Sequence, residues 1–180
     1  AYQTSGGLNG VGSSVVNALS DSMVVEVARN REVYSQSFSR GKPLGPLEKI
    51  GAAPNRRGTT VTFHPDPDIF GSLKFKPARL YELVRSKAFL FSGVEIRWKS
   101  AIEDGEMPME DSFHYPGGLA EYLTEVLGKA MTYAETPFSG KVDFQEKFNE
   151  PGSVEWAINW TPMRDGFLDS YCNTVPTRDG

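Results

Sequence analysis

Four glycines fall within residues 5–12, Ser-Gly-Gly-Leu-Asn-Gly-Val-Gly, and the run leads straight into a helix-compatible stretch at 13–19. No other feature limits the chain as tightly. Glycine takes positive φ and lets a backbone approach a ligand with no Cβ between them. A loop of this kind opening onto a helix N-terminus, whose N–H groups lack intrahelical partners, is a natural phosphate site. A plain tight turn would use the same residues. The Lys-Ser/Thr pair of a P-loop is missing after the loop, and no long strand precedes it as a dinucleotide-binding fingerprint requires.

The apolar spacing that follows predicts the elements. The first helix offers Val15, Val16, Ala18 and Leu19 to a core, and the short polar side chains of Ser20, Asp21 and Ser22 terminate it. Residues 23–28 and 32–39 read as a hairpin around Arg29-Asn30-Arg31, with Val24, Val27, Val33, Tyr34 and Phe38 available to a sheet face. Residues 47–52 and 59–64 flank the turn formers Pro54, Asn55 and Gly58, which predicts a second antiparallel pair. Residues 77–91 place Leu80, Leu83, Val84, Ala88 and Phe89 on one helical face, with Pro77 acceptable in the first turn. Residues 94–99 alternate as a strand with 112–115 as its return, and Leu119, Tyr122, Leu123, Val126 and Leu127 mark another amphipathic helix. Beyond Ala130 come three strand-like runs, 140–148, 153–161 and 168–174, with no helix between them. A domain boundary is therefore expected near 132–137.

With 180 residues and 39% hydrophobic content, the chain can bury the core of one domain or of parts of two. Nineteen basic against twenty-three acidic residues give a net charge of −4, the wrong sign for a surface that neutralises DNA phosphates by itself. One cysteine, Cys172, excludes an internal disulfide, and His64 and His114 are too far apart for a metal motif, so a reducing cytoplasm is expected. Single cysteines are commonly small buried hydrophobes, and neither histidine sits in a triad pattern. Trp98, Trp156 and Trp160 read as packing residues on strands, and the acidic turn at 103–106 as solvent-facing. Apolar stretches are strand-sized and the start has no export leader, so neither export nor membrane insertion is expected. Both ends read as cuts through a longer protein.

Tyr2-Gln3-Thr4-Ser5-Gly6-Gly7-Leu8-Asn9-Gly10-Val11-Gly12, continued by Val15-Val16-Asn17-Ala18-Leu19-Ser20, closely resembles the ATP-lid motif of bacterial type IIA DNA topoisomerase B subunits, members of the GHKL ATPase superfamily. Arg57-Gly58-Thr59-Thr60-Val61-Thr62-Phe63 resembles the family's Gly-Thr strand, and Gly93-Val94-Glu95-Ile96 the strand after its long helix. Tyr171-Cys172-Asn173-Thr174-Val175-Pro176-Thr177 is similar to its transducer segment. Within the family, Ala52-Ala53-Pro54-Asn55-Arg56-Arg57, Glu155-Trp156-Ala157 and Trp160-Thr161-Pro162 resemble the topoisomerase IV branch more than gyrase.

The resemblance implies an α+β fold: at 1–133 the C-terminal part of a GHKL (Bergerat) sandwich including the ATP lid, and at 134–180 the start of a transducer domain like ribosomal protein S5. It implies ATP and Mg2+ as cofactors in the parent protein, with backbone amides of Gly7, Leu8, Asn9, Gly10, Val11 and Gly12 holding the β- and γ-phosphates. Tyr2 matches a position near the nucleotide. Asn9 stands where the family has histidine, which leaves its amide able to donate but puts a side-chain role in doubt. Thr59 matches the threonine beside the adenine pocket, with Val61 lining the same pocket. Arg29 matches the arginine at the rim, where coumarin-type inhibitors are contacted; read alone it is a solvated hairpin arginine. The catalytic glutamate, the magnesium-binding asparagine, the adenine-reading aspartate and the transducer lysine lie outside these residues, so the expectation is no ATPase activity from this chain alone and no metal ligand in it. The implied partners are DNA, the topoisomerase IV A subunit, and a second copy of the ATPase subunit on ATP binding. Open alternatives are a gyrase ATPase subunit, a non-catalytic interaction module from a degenerate gene, and a mismatch-repair or chaperone member of the superfamily.

Overall fold

The structure, a computed structural model, describes residues 11–72, 74–103, 105–145, 151–162 and 165–177. Its contacts divide the chain into two compact units, Ala1–Lys74 and Phe75–Gly180.

In the first unit α1 (Gly12–Ala18) leads into β1 (Ser20–Arg29), the centre of an antiparallel sheet. β2 (Glu32–Ser39) pairs along one side of β1 and β5 (Gly58–Pro65) along the other. β3 (Lys42–Pro43) and β4 (Glu48–Ala52) both pair with the outer side of β2. The two strands flanking Pro54 to Gly58 therefore exist, but they do not form the antiparallel pair that the turn residues predict. The Ala53 N–H donates to the Arg31 carbonyl at 2.7 Å, which leads the chain across the end of the β1–β2 hairpin to the opposite edge of the sheet.

Register also corrects the expected face. Side chains alternate along a strand, so Met23, Val25 and Val27 share one side with their partners Phe38 and Tyr34 on β2 and with Phe63, Val61 and Thr59 on β5. Val24 and Val33 lie on the other. Among the described residues of the unit, Met23, Ala28 and Val33 are the buried apolar ones, whereas Val61 is 52% exposed. α1 departs further from expectation: it buries no residue, and Val15 and Leu19 remain exposed. Hydrogen bonds at its C-terminal end hold it, rather than apolar packing. The short helix α2 (Pro67–Phe70) and the strand β3 have too few residues for a periodic signal and were not foreseen.

In the second unit α3 (Pro77–Leu90) packs with the hairpin of β6 (Glu95–Lys99) and β7 (Glu110–His114) and with α4 (Gly118–Leu127). Ala88, Phe89, Phe113 and Tyr115 form its core, bordered by Tyr81, Val84, Ile96, Trp98, Leu119 and Tyr122. Phe89 stacks on Tyr122 with centroids 3.8 Å apart and meets Tyr115 and Tyr171 edge-on. Truncating such a buried phenylalanine to alanine costs about 3–5 kcal/mol. β8 (Phe138–Gln145) and β9 (Pro151–Ile158) form a second hairpin, and β10 (Ser170–Cys172) and β11 (Val175–Thr177) a third. The run read as one strand at 168–174 thus bends at Asn173 and Thr174, which both take positive φ. Gly140 is needed where it stands, because a Cβ there would lie 2.4 Å from the Trp156 ring of the opposing strand.

Among the described residues no helix is long and apolar enough to cross a membrane.

Candidate functional site

Tyr2, Gly7, Leu8, Asn9 and Gly10 lie outside the described residues; Val11 and Gly12, at the entrance to α1, are described. Val11 is the N-cap, with no side-chain cap hydrogen bond, and its carbonyl accepts the Val15 N–H at 2.9 Å. The first turn carries no acidic residue, and no described atom lies within 4 Å of the position a Gly12 Cβ would take. Among the described residues, then, no side chain caps the first-turn amides and none in that turn is acidic, which is what a phosphate-facing helix start requires. This fits the nucleotide expected there. Magnesium is a different case. Among the described residues no group of three or more His, Cys, Asp or Glu side chains is placed to hold a metal.

The opposite end of α1 is strongly fixed. Gly41 N–H donates to the Asn17 carbonyl at 3.1 Å, Arg40 N–H to the Ser20 carbonyl at 2.8 Å and Asp66 N–H to the Leu19 carbonyl at 2.9 Å. The bonds to Asn17 and Leu19 satisfy carbonyls that a helix C-terminus leaves orphaned, and the bond to Ser20 ties down the start of β1. The side chains of the same residues join: Arg40 Nε meets Asp66 Oδ2 at 2.5 Å and its Nη2 meets Oδ1 at 3.1 Å, with Asp68 as a further partner. Asp66 is 1% exposed, and its Oδ1 also accepts the Asp68 N–H at 3.0 Å as the cap of α2. The guanidinium of Arg40 holds the Asp66 carboxyl below the usual carboxylate range, outweighing the burial that pushes it up. Asn17 Oδ1, on α1, is buried without a hydrogen-bond partner.

Sequence reading missed this clamp. The Asp66-Pro67 step was its one legible signal, since Asp followed by Pro is the pattern of a helix cap and first turn. Arg40 carried none, because its partner lies far along the chain.

Thr59 and Val61 stand on one face of β5, opposite Val27 and Val25 of β1. Both are exposed. Arg29 ends β1, two positions beyond the partner of Thr59, so Arg29 and Thr59 share one end of the sheet. The α1 exit and Pro65 mark the other, about 20 Å away along β5 at strand rise. The structure thus brings Thr59 together with Val61 and places Arg29 near them, and it keeps Val11 and Gly12 together on α1.

His64 and Trp98 have structural partners. His64 Nδ1 lies 2.9 Å from Asp21 Oδ1 at the surface, and Trp98 donates to the Pro108 carbonyl at 2.9 Å. Cys172 is exposed rather than buried, because its strand belongs to a two-stranded ribbon. Trp160 lies beyond β9 and is 57% exposed, so it does not pack on a strand as expected. A cavity of about 340 Å³ in the second unit lies between the start of α4 and the β8–β9 hairpin, bordered by Gly117, Gly118, Lys141, Glu155 and Trp156. It contains none of the residues expected to touch nucleotide.

Comparison with known proteins adds the following. No family model matches the chain. It is 50% identical over 188 aligned positions to the DNA topoisomerase 4 B subunit of Caulobacter vibrioides and 51% identical over 185 to that of Bartonella bacilliformis. Each alignment covers all of this chain and 26% of the relative, so the chain spans about a quarter of the length of the curated relatives it matches. Among solved structures it resembles the 43K ATPase domain of Thermus thermophilus gyrase B, determined in complex with an aminocoumarin. That likeness has a TM-score of 0.76 and 35% identity, and it covers 95% of this chain and 44% of that one.

Proposed function

We propose that the chain is part of a B subunit of the bacterial type IIA DNA topoisomerases, within the GHKL ATPases, and that it serves the topoisomerase IV reaction as the ATP lid and the first strands of the coupling domain. The observation that carries this reading is the likeness along the whole chain to topoisomerase 4 B subunits, joined to an uncapped, acid-free helix start at Gly12. Residues 1–133 are assigned to the nucleotide-binding part and 134–180 to the transducer.

In this assignment backbone N–H groups from Gly7 to Gly12 face the β- and γ-phosphates, and donors fixed before the reaction stabilise developing charge without reorganising. Bound ATP supplies the phosphoryl group whose transfer to water resets the dimer. Arg40 and Asp66 hold the base of α1 in place. Thr59 offers a hydroxyl, and Val61 an apolar surface, to the adenine end. The general base and the metal ligand come from other parts of the parent protein, and the isolated chain is inactive. Closure pairs two copies of the ATPase subunit, and with the A subunit the assembly passes one DNA duplex through another in the cytoplasm.

Incubating the full-length ATPase subunit and its A subunit with interlinked DNA circles, ATP and magnesium tests this. Unlinking without negative supercoiling of relaxed circles is expected. Negative supercoiling would move the protein to the gyrase branch, and no ATP-dependent change in topology would favour the non-catalytic reading.

A further inference from the structure

Two local preferences are broken at one contact in the second unit. Lys87, on the inward side of α3 between the buried residues Ser86 and Ala88, sends its ammonium to the carbonyl of Thr174 and, at 3.0 Å, to the Thr174 Oγ1. Both acceptors are neutral, and no carboxylate pairs with Lys87 among the described residues. Burial pushes its pKa down, as expected for an ammonium drawn out of water without a counter-charge. An apolar side chain of similar length would pack there with less desolvation cost.

Its partner is equally out of place. Thr174 is 8% exposed and has φ +71°, in the left-handed region that a β-branched residue rarely enters. The two-residue turn from Cys172 to Val175 favours glycine at such a position. A conformation of this sort persists only where its surroundings over-determine it, and here a lysine from another element does so. Beside it, Tyr171 packs edge-on to Phe89 of the same helix at 5.8 Å. The β10–β11 hairpin thus meets α3 through the Tyr171 ring and the Lys87 ammonium.

We propose that Lys87 is a positioning residue that sets the β10–β11 hairpin on α3 and couples nucleotide turnover to DNA strand passage. The coupling half of this inference rests on the function proposed above; the positioning half does not. A helix from the part assigned to nucleotide binding thereby grips a hairpin from the part assigned to the transducer. The grip is polar and directional, so it can be released by a small shift of α3 where an apolar contact would slide.

The test uses the full-length ATPase subunit with its A subunit, comparing wild type, Lys87→Met and Lys87→Arg. Hydrogen exchange at the backbone amides of residues 170–177 is expected to rise about tenfold in Lys87→Met, with the segment around Phe89 unchanged. ATP turnover at saturating nucleotide is expected to stay within about twofold while DNA strand passage per ATP falls about fivefold, and Lys87→Arg is expected to recover part of both effects. Unchanged exchange at 170–177 overturns the positioning role. Faster exchange with turnover and passage lost in equal proportion, and no recovery in Lys87→Arg, overturns the coupling role and leaves Lys87 as scaffold only. A wild-type protein that passes no DNA strand in response to ATP refutes the proposed function and the coupling with it, while the exchange result still decides positioning.

Discussion

Asp66 joins three elements of the first unit, since its backbone N–H holds the exit of α1, its carboxylate caps α2, and both oxygens meet Arg40. Its folded-state pKa is depressed, chiefly by the Arg40 hydrogen bond. A group depressed in this way adds stability above its unfolded pKa and loses it as pH falls through the folded value. Asp66→Asn, which keeps a side chain able to cap α2, is therefore expected to lower Tm by a few degrees at neutral pH. The gap to wild type should close from about pH 4 downward. Thermal unfolding of the full-length protein at several pH values checks this, and a gap that does not change with pH would deny the pair its charge. Only part of this residue's role was legible: the cap pattern lies in adjacent residues, whereas the arginine comes from a turn whose position depends on how β2 and β3 pair. The exposure of Cys172 was illegible for a similar reason, since it follows from the ribbon being two strands wide.

Elements were easier to read than their pairing. α3, α4, the β1–β2 hairpin and the β6–β7 hairpin follow from apolar period and turn residues, which are local properties. The edges on which β4 and β5 settle are set by their ladders with β2 and β1, pairings between residues distant in sequence that no local spacing encodes. The β8–β9 hairpin shows the same limit. Its strands were foreseen, but the fit of the Trp156 ring over Gly140 requires the register. Gly140→Ala is expected to displace that ring at a cost of about 1–3 kcal/mol. A lower Tm together with an altered Trp156 fluorescence signal would be the signature, and unchanged stability would mean that the ring moves aside freely.

For the whole molecule, a net charge of −4 and a cysteine-poor composition bounded the class without naming a function. The ordered motifs from Tyr2 to Thr177 did more, and agreement with topoisomerase 4 B subunits extends along the entire chain. Of the candidate site, the described part reaches only from Val11 onward and to Thr59, so the glycine loop rests on residue type and likeness. The proposed function has this loop and the start of α1 close on the phosphates of ATP. Its most direct test is magnesium-dependent ATP hydrolysis by the full-length ATPase subunit, wild type against Gly10→Val, with folding confirmed for both. Hydrolysis by the wild type and a loss of about a hundredfold or more in Gly10→Val are expected, since a Cβ there keeps the backbone amides from the transferring phosphoryl group. Equal rates in the two proteins, or a folded wild type that hydrolyses no ATP, would contradict it.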